Sequence, residues 1–116
     1  MENFNFSSFA KMYEELKRSI REPHIYKTEI GLGALSSFKQ KIEDFKEDTL
    51  LNGIIWEDSG YDHELRKTEY PLEELKTYIS DPKNHRMDKE DALIFSDYIW
   101  LTFLGVYKDY EANQLS

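Results

Sequence analysis

The fold of this chain is decided by its most apolar run, Ala92-Leu93-Ile94-Phe95-Ser96-Asp97-Tyr98-Ile99-Trp100-Leu101-Thr102-Phe103-Leu104-Gly105-Val106-Tyr107. We interpret the surrounding stretch, from Asp88 to Tyr110, as one long C-terminal helix, because the run is too long for a buried strand. Two neighbouring apolar stripes recur at helical spacing, which predicts a helix buried on more than one side. The stripes are Leu93, Tyr98 and Leu101, and Phe95, Ile99 and Phe103.

The start of this helix is marked by acidic residues. Asp88 is a suitable N-cap, and Glu90 and Asp91 follow in the first turn, where the helix dipole favours negative charge. A membrane span is disfavoured, because the apolar run is shorter than about 20 residues and contains Asp97. We expect Asp97 at a solvent-facing rim; the alternative is a buried carboxylate paired with a Lys, an Arg or a Tyr hydroxyl.

Length and composition restrict the class of protein. The chain has 116 residues and no cysteine, which predicts one domain over residues 1–116 and excludes disulfides, thiolate metal sites and cysteine nucleophiles. We expect residues 111–116 to fray, and we see no signal peptide, which favours a cytoplasmic protein. The net charge of −8 argues against direct binding of nucleic acid or an anionic membrane.

Two amphipathic helices are predicted in the first half of the chain. The first follows a cap at Ser7 or Ser8 and ends before Pro23. Its apolar stripe is Phe9, Met12, Tyr13, Leu16 and Ile20. The second begins near Ser36 or Ser37, reaches about Asp48, and extends at most to the stop at Gly53. Its stripe is Leu35, Phe38, Ile42 and Phe45.

A third amphipathic helix is predicted to start at Pro71 and to close at Asp81-Pro82. Its apolar side is Leu72, Leu75, Tyr78 and Ile79. With the C-terminal helix this gives a mainly α, four-helix bundle-like domain. The alternative is an α+β fold with a two-stranded ribbon formed by residues 24–30 and 53–57. We interpret Gly31 and Gly33 as a turn, and residues 61–70 as a loop with at most one helical turn.

The negative charge is concentrated in one segment. Residues 43–74 contain eleven acidic and three basic residues, so this segment carries the whole net charge, and the rest of the chain is balanced. Clustered carboxylates speed the association of a basic partner, and aromatic residues serve as interface anchors. The sequence therefore predicts a partner-binding surface, against the simpler interpretation of a solubilising surface. The predicted residues are Glu47, Asp48, Trp56, Glu57, Asp58, Tyr61, Asp62, Glu64 and Tyr70.

The leading functional hypothesis is a small inhibitor or immunity-type protein that imitates nucleic acid and binds a basic, nuclease-like or nucleic-acid-binding protein. We expect no cofactor, and the sequence selects no catalytic or metal-ligating residues, which favours a protein that is not an enzyme. One alternative is a metal-dependent hydrolase that uses His63 with Glu57 or Asp58. Another is a homodimer formed by an apolar stripe that the C-terminal helix leaves exposed. We interpret His85 as a surface residue of a connector.

Overall fold

The computed structural model describes residues 4–23, 25, 27–54 and 60–115, with the side chains of 114 and 115 left out of the description. Five α-helices lie in these residues, and no strand does. They are α1 (Phe6–Arg21), α2 (Thr28–Leu51), α3 (Tyr61–Arg66), α4 (Glu69–Ser80) and α5 (Lys89–Leu115), with a 3₁₀ turn at Pro82–Asn84. The prediction of a mainly α domain around a long C-terminal helix is confirmed.

The ribbon alternative receives no support from the described residues. Thr28–Ile30 form the first turn of α2, and positions 24, 26 and 55–57 lie outside the described residues. The predicted turn at Gly31 and Gly33 is wrong, because both glycines lie inside α2. This helix starts at Thr28, well before the predicted caps at Ser36 and Ser37, and ends at Leu51, before Gly53 at a φ of 88°.

Other helix ends differ by a few residues. The cap of α1 is Asn5, whose side-chain oxygen accepts a hydrogen bond from the Ser8 amide at 2.9 Å. Helix α4 begins at Glu69, so Pro71 is its third residue, where the backbone still needs no intrahelical N–H. The Asp88 cap is confirmed, since its carboxylate accepts from the Asp91 amide at 2.8 Å. Helix α5 continues to Leu115, so residues 111–115 of the tail predicted to fray are helical.

An aromatic seam holds the first helix against the last. Phe9 of α1 is fully buried, and its ring centroid lies 4.6 Å from that of Phe38 in α2 and 4.3 Å from that of Phe103 in α5. Further along, the ring of Tyr13 stacks on Trp100 with centroids 4.5 Å apart. Helix α1 therefore packs against both α2 and α5, while α4 covers the other side of the same pair.

The burial of α5 is narrower than the sequence predicts. Ile99 and Phe103 are fully buried, but Tyr98 and Leu101, predicted to form a second buried stripe, are 44% and 63% exposed. Leu93, the third member, is half-buried. One face of this helix thus remains in solvent, at Ile94, Tyr98 and Leu101.

Asp97 shows features of both interpretations. Its side chain is half exposed, at the rim of α5, as we expected. It nevertheless accepts a hydrogen bond from the Tyr13 hydroxyl and lies 3.6 Å from the Lys17 ammonium, so it connects α5 to α1.

Candidate functional site

The described part of the acidic segment forms the second half of α2, all of α3 and the first half of α4. These three helices surround a surface groove of about 430 Å³. Ile42, Leu65 and Leu72 supply apolar side chains to its lining. The charged residues that line it are Lys39, Glu43, Lys46, Asp62, Arg66 and Glu69.

The groove itself is not acidic. Three carboxylates and three basic side chains line it, and Asp62 forms a salt bridge with Arg66 at 2.9 Å. The formal charge of the lining is therefore balanced. Any net negative potential here must come from carboxylates beyond the residues that line the groove.

Glu47 and Glu73 are such carboxylates, each one turn along its helix from a glutamate that lines the groove. Glu43 and Glu47 are one turn apart on α2, and Glu69 and Glu73 are one turn apart on α4. All four are exposed, and Glu43 and Glu69 line the groove from its two flanking helices. The pairing of α2 with α4 thus brings together two acidic pairs that are more than 20 residues apart in the chain.

The predicted partner-binding residues do not all share this surface. Glu47 is exposed, but Asp48 is buried, and its carboxylate accepts a hydrogen bond from the Phe4 amide at 2.7 Å. Asp48 therefore anchors the N-terminal segment. Trp56, Glu57 and Asp58 lie outside the described residues.

Tyr61 also has an internal role. Its ring is buried, and its hydroxyl donates to the Asp109 carboxylate at 2.9 Å, which joins α3 to α5. Burial, and then this hydrogen bond, raise the pKa of the Tyr61 phenol. Asp62 and Glu64 are half-buried, and each pairs with a neighbouring base, Glu64 with Lys67 at 3.0 Å. These salt bridges neutralise part of the negative charge that we predicted to bind a partner.

Tyr70 is 59% exposed and belongs to a polar cluster at the junction of α4 and α5. Glu74 is the centre of this cluster, because its carboxylate lies 2.6 Å from the Arg86 guanidinium and 3.1 Å from the His85 ring. The hydrogen bond from the Tyr70 hydroxyl, followed by the charge of Arg86, lowers the pKa of Glu74. The same bond to Glu74 raises the pKa of Tyr70.

The interpretation of His85 as a surface residue is wrong, since only 11% of its side chain is exposed. Its Nδ1 accepts from the Met87 amide at 3.0 Å, and its Nε2 faces Glu74 and the Thr77 hydroxyl. The ring therefore fixes the connector between the two helices. Sequence reasoning missed this cluster because its members are held together by the turn at Asp81-Pro82, which leaves no periodic signal.

The residues proposed for a metal site are only partly described. His63 is exposed on α3, while His24, Glu57 and Asp58 lie outside the described residues. Within the residues that the structure describes, no group of three or more His, Asp or Glu side chains is placed to hold a metal ion. None of the described helices has both the length and the hydrophobicity needed to cross a bilayer. Comparison of the chain with protein-family models, curated proteins and solved structures finds no match.

Proposed function

We propose that this protein works by binding another protein, and that its partner is a basic, nuclease-like or nucleic-acid-binding protein. The observation that carries the proposal is that each of the two helices beside the groove has two exposed glutamates. They are Glu43 and Glu47 on one helix, and Glu69 and Glu73 on the other. A carboxylate row along each margin presents negative charge in two lines, as phosphates do. Such a field attracts a basic surface before contact is made.

The groove between the two rows supports the same proposal. Its apolar residues, Ile42, Leu65 and Leu72, are largely buried, and the edges that line the groove could contact the aliphatic stem of a Lys or Arg. The charged head would then lie beside Glu43 or Glu69. A basic side chain inserted in this way would contact the apolar residues of the groove with its stem and the carboxylates with its charged head.

The test is a binding assay against a panel of basic nucleases and DNA-binding domains. The variant Glu43→Gln, Glu47→Gln, Glu69→Gln, Glu73→Gln removes four exposed charges and no buried contact. We expect the association rate of the partner at low salt to fall about tenfold or more, and its salt dependence to flatten. Interferometry at about 50 mM and about 300 mM salt measures both quantities.

A matched control is Glu14→Gln, Glu15→Gln, which removes exposed acids from α1, outside the acidic segment. It should leave the rate nearly unchanged. A second comparison is Asp62→Asn, Glu64→Gln, whose acids are already paired with Arg66 and Lys67 and should matter less. The proposal fails if no basic protein of the panel binds, or if a binder is indifferent to all four glutamates.

A further inference from the structure

The outward face of α5 exposes large apolar side chains. Ile94, Tyr98 and Leu101 are 62%, 44% and 63% exposed. They follow one another at spacings of four and three residues, so they form one continuous stripe on a rigid helix. The largest apolar patch on the surface of a protein is often a site of interaction.

The stripe extends in both directions with the same spacing. Asp91 precedes it, and Gly105, Lys108 and Ala112 follow it, each exposed. Intervals of three and four residues alternate throughout, as they do between the contact positions of a coiled coil. Asp91, Tyr98, Gly105 and Ala112 take one contact position of the repeat, and Ile94, Leu101 and Lys108 take the other.

We propose that this stripe is the contact surface of an antiparallel homodimer, in which α5 of one copy lies along α5 of a second copy. The reason is that the residues of the stripe pair favourably with those of a second, identical stripe that runs in the opposite direction. About a two-fold axis between Ile99 and Trp100, Tyr98 faces Leu101 of the second copy and Ile94 faces Gly105. At the ends, Asp91 faces Lys108.

Each of these pairings is favourable. At the centre, two large side chains pack together. At the next layer a large side chain packs over a glycine, and at the ends opposite charges pair. Glu90 opposite Glu111 is an unfavourable pair, and both residues lie at the exposed margin, where repulsion between charges is weak. The parallel arrangement would instead place Asp91 on Asp91 and Lys108 on Lys108.

Gly105 provides the space that this arrangement needs. A side chain at this position would meet nothing within 4 Å, and the residue lines a surface groove of about 460 Å³ between α3 and α5. Leu101 and His63 line the same groove. Ile94 of the second copy would project into it, in the way a knob enters a hole in a coiled coil.

The size of the surface sets the expected strength. The stripe from Asp91 to Ala112 is about 30 Å long on a helix about 10 Å wide, so each copy covers on the order of 300 Å². This is below the area typical of stable complexes, about 800 Å² per partner. We therefore expect a reversible dimer that dissociates in the micromolar range or above.

The first test measures oligomeric state by sedimentation equilibrium from about 5 µM to about 500 µM. The wild-type chain should pass from monomer to dimer within this range. The variant Ile94→Gln, Leu101→Gln should raise the dissociation constant at least tenfold. The control Leu50→Gln, Leu51→Gln alters two exposed leucines at the end of α2, 49% and 70% exposed, and should dimerise as the wild type does.

The second test addresses the antiparallel register. Asp91→Lys and Lys108→Glu, each alone, place like charges at both ends of the dimer and should weaken it about fivefold. The double variant Asp91→Lys, Lys108→Glu should recover the wild-type dissociation constant within about twofold. Glu90→Lys controls for the helix dipole, because it makes the same charge change in the first turn but relieves the repulsion from Glu111, so it should not weaken the dimer.

The outcomes decide the proposal. A wild-type chain that stays monomeric at the highest concentration overturns it, and so does a dimer that tolerates Ile94→Gln, Leu101→Gln. A dimer that is broken by this variant but not restored by the double charge reversal excludes the antiparallel register. If circular dichroism shows that the glutamine variant has lost helix, the charge reversals, which change exposed side chains only, give the decision.

Discussion

Two glycines in α2 have different surroundings although only one residue separates them. A Cβ at Gly31 would lie 2.9 Å from the Ile79 side chain and 3.2 Å from the Ser19 hydroxyl, so this glycine allows α1, α2 and α4 to approach closely. A Cβ at Gly33 would meet nothing within 4 Å. The sequence predicted a turn here because glycines usually interrupt helices, and close approach between distant helices leaves no local signal.

The substitution Gly31→Ala should lower the free energy of unfolding by about 1–3 kcal/mol, because Ile79 or the backbone must shift to admit the methyl group. Urea denaturation followed by circular dichroism measures the change.

Gly33→Ala is the matched control for this substitution. It lies in the same helix in open space, so the gain in helix propensity should stabilise the protein by about 0.5–1 kcal/mol. Equal effects of the two substitutions would contradict the close packing at Gly31.

Helix ends were predicted well where a residue caps a strong periodic run. Asp88 caps α5 as expected, because its carboxylate accepts a hydrogen bond from an amide of the first turn, just before the apolar run. Asn5 was missed because Ser7 and Ser8 are also good caps, and the choice depends on where Phe6 and Phe9 find ring partners in other helices.

At the scale of whole elements, the amphipathic stripes of α1 and α4 were predicted correctly, since Phe9, Leu16 and Leu75 are fully buried. The exposure of α5 was predicted only in the homodimer alternative, which did not specify the exposed residues. Its hydrophobic residues are distributed around the helix, and the number of neighbours available to cover them is a property of the complete fold. Only the assembled domain shows that Ile94 and Leu101 are left outside.

The contact between α1 and α5 is reinforced by a polar group at its edge. The Tyr13 hydroxyl donates to Asp97, and Lys17 lies near both, 5.0 Å from the centre of the Tyr13 ring. Tyr13→Phe removes the hydroxyl and keeps the ring stack on Trp100. We expect a loss of about 1–2 kcal/mol in the free energy of unfolding, because a hydrogen bond to a half-exposed carboxylate is lost.

The control for Tyr13→Phe is Tyr107→Phe. This hydroxyl donates to Glu111 on the same helix, in an exposed position, at 3.2 Å. Its removal should cost less than about 0.5 kcal/mol in a urea titration. If Tyr13→Phe is no more costly than this control, the bond to Asp97 does not join the two helices.

At the scale of the whole molecule, buried tyrosines should make the free energy of unfolding depend on pH in the alkaline range. Burial is the largest cause that raises the pKa of Tyr13, Tyr61 and Tyr78; hydrogen bonds to Asp97 and Asp109 add to it in the first two, and the charge of Asp88 in the third. A phenol with a raised pKa stays neutral in the folded chain while the unfolded chain ionises near pH 10.

Stability from these tyrosines should therefore be complete below about pH 10 and should fall as the pH rises towards the folded-state pKa values. The loss is about 1.4 kcal/mol for each unit of pKa difference. Urea midpoints between about pH 8 and about pH 11, with tyrosinate absorbance, measure it. Tyr13→Phe should show a shallower decline; a midpoint that does not change with pH would contradict the expectation.

The charge distribution of the molecule was only partly visible in the sequence. The concentration of acids in residues 43–74 is a fact of composition. Which of them face solvent depends on partners brought by folding. Arg66 and Lys67 lie beside Asp62 and Glu64, whereas Arg86 reaches Glu74 from the connector before α5 and the Phe4 amide reaches Asp48.

The aromatic seam joins residues from the two extremes of the chain, and this has a consequence for biosynthesis. Phe9 and Phe38 emerge from the ribosome long before Trp100 and Phe103 are translated. A nascent chain that ends before Lys89 therefore holds α1 and α2 with their rings uncovered. The native domain can form only after α5 has left the ribosome, and until then the exposed rings make the unfinished chain prone to aggregation.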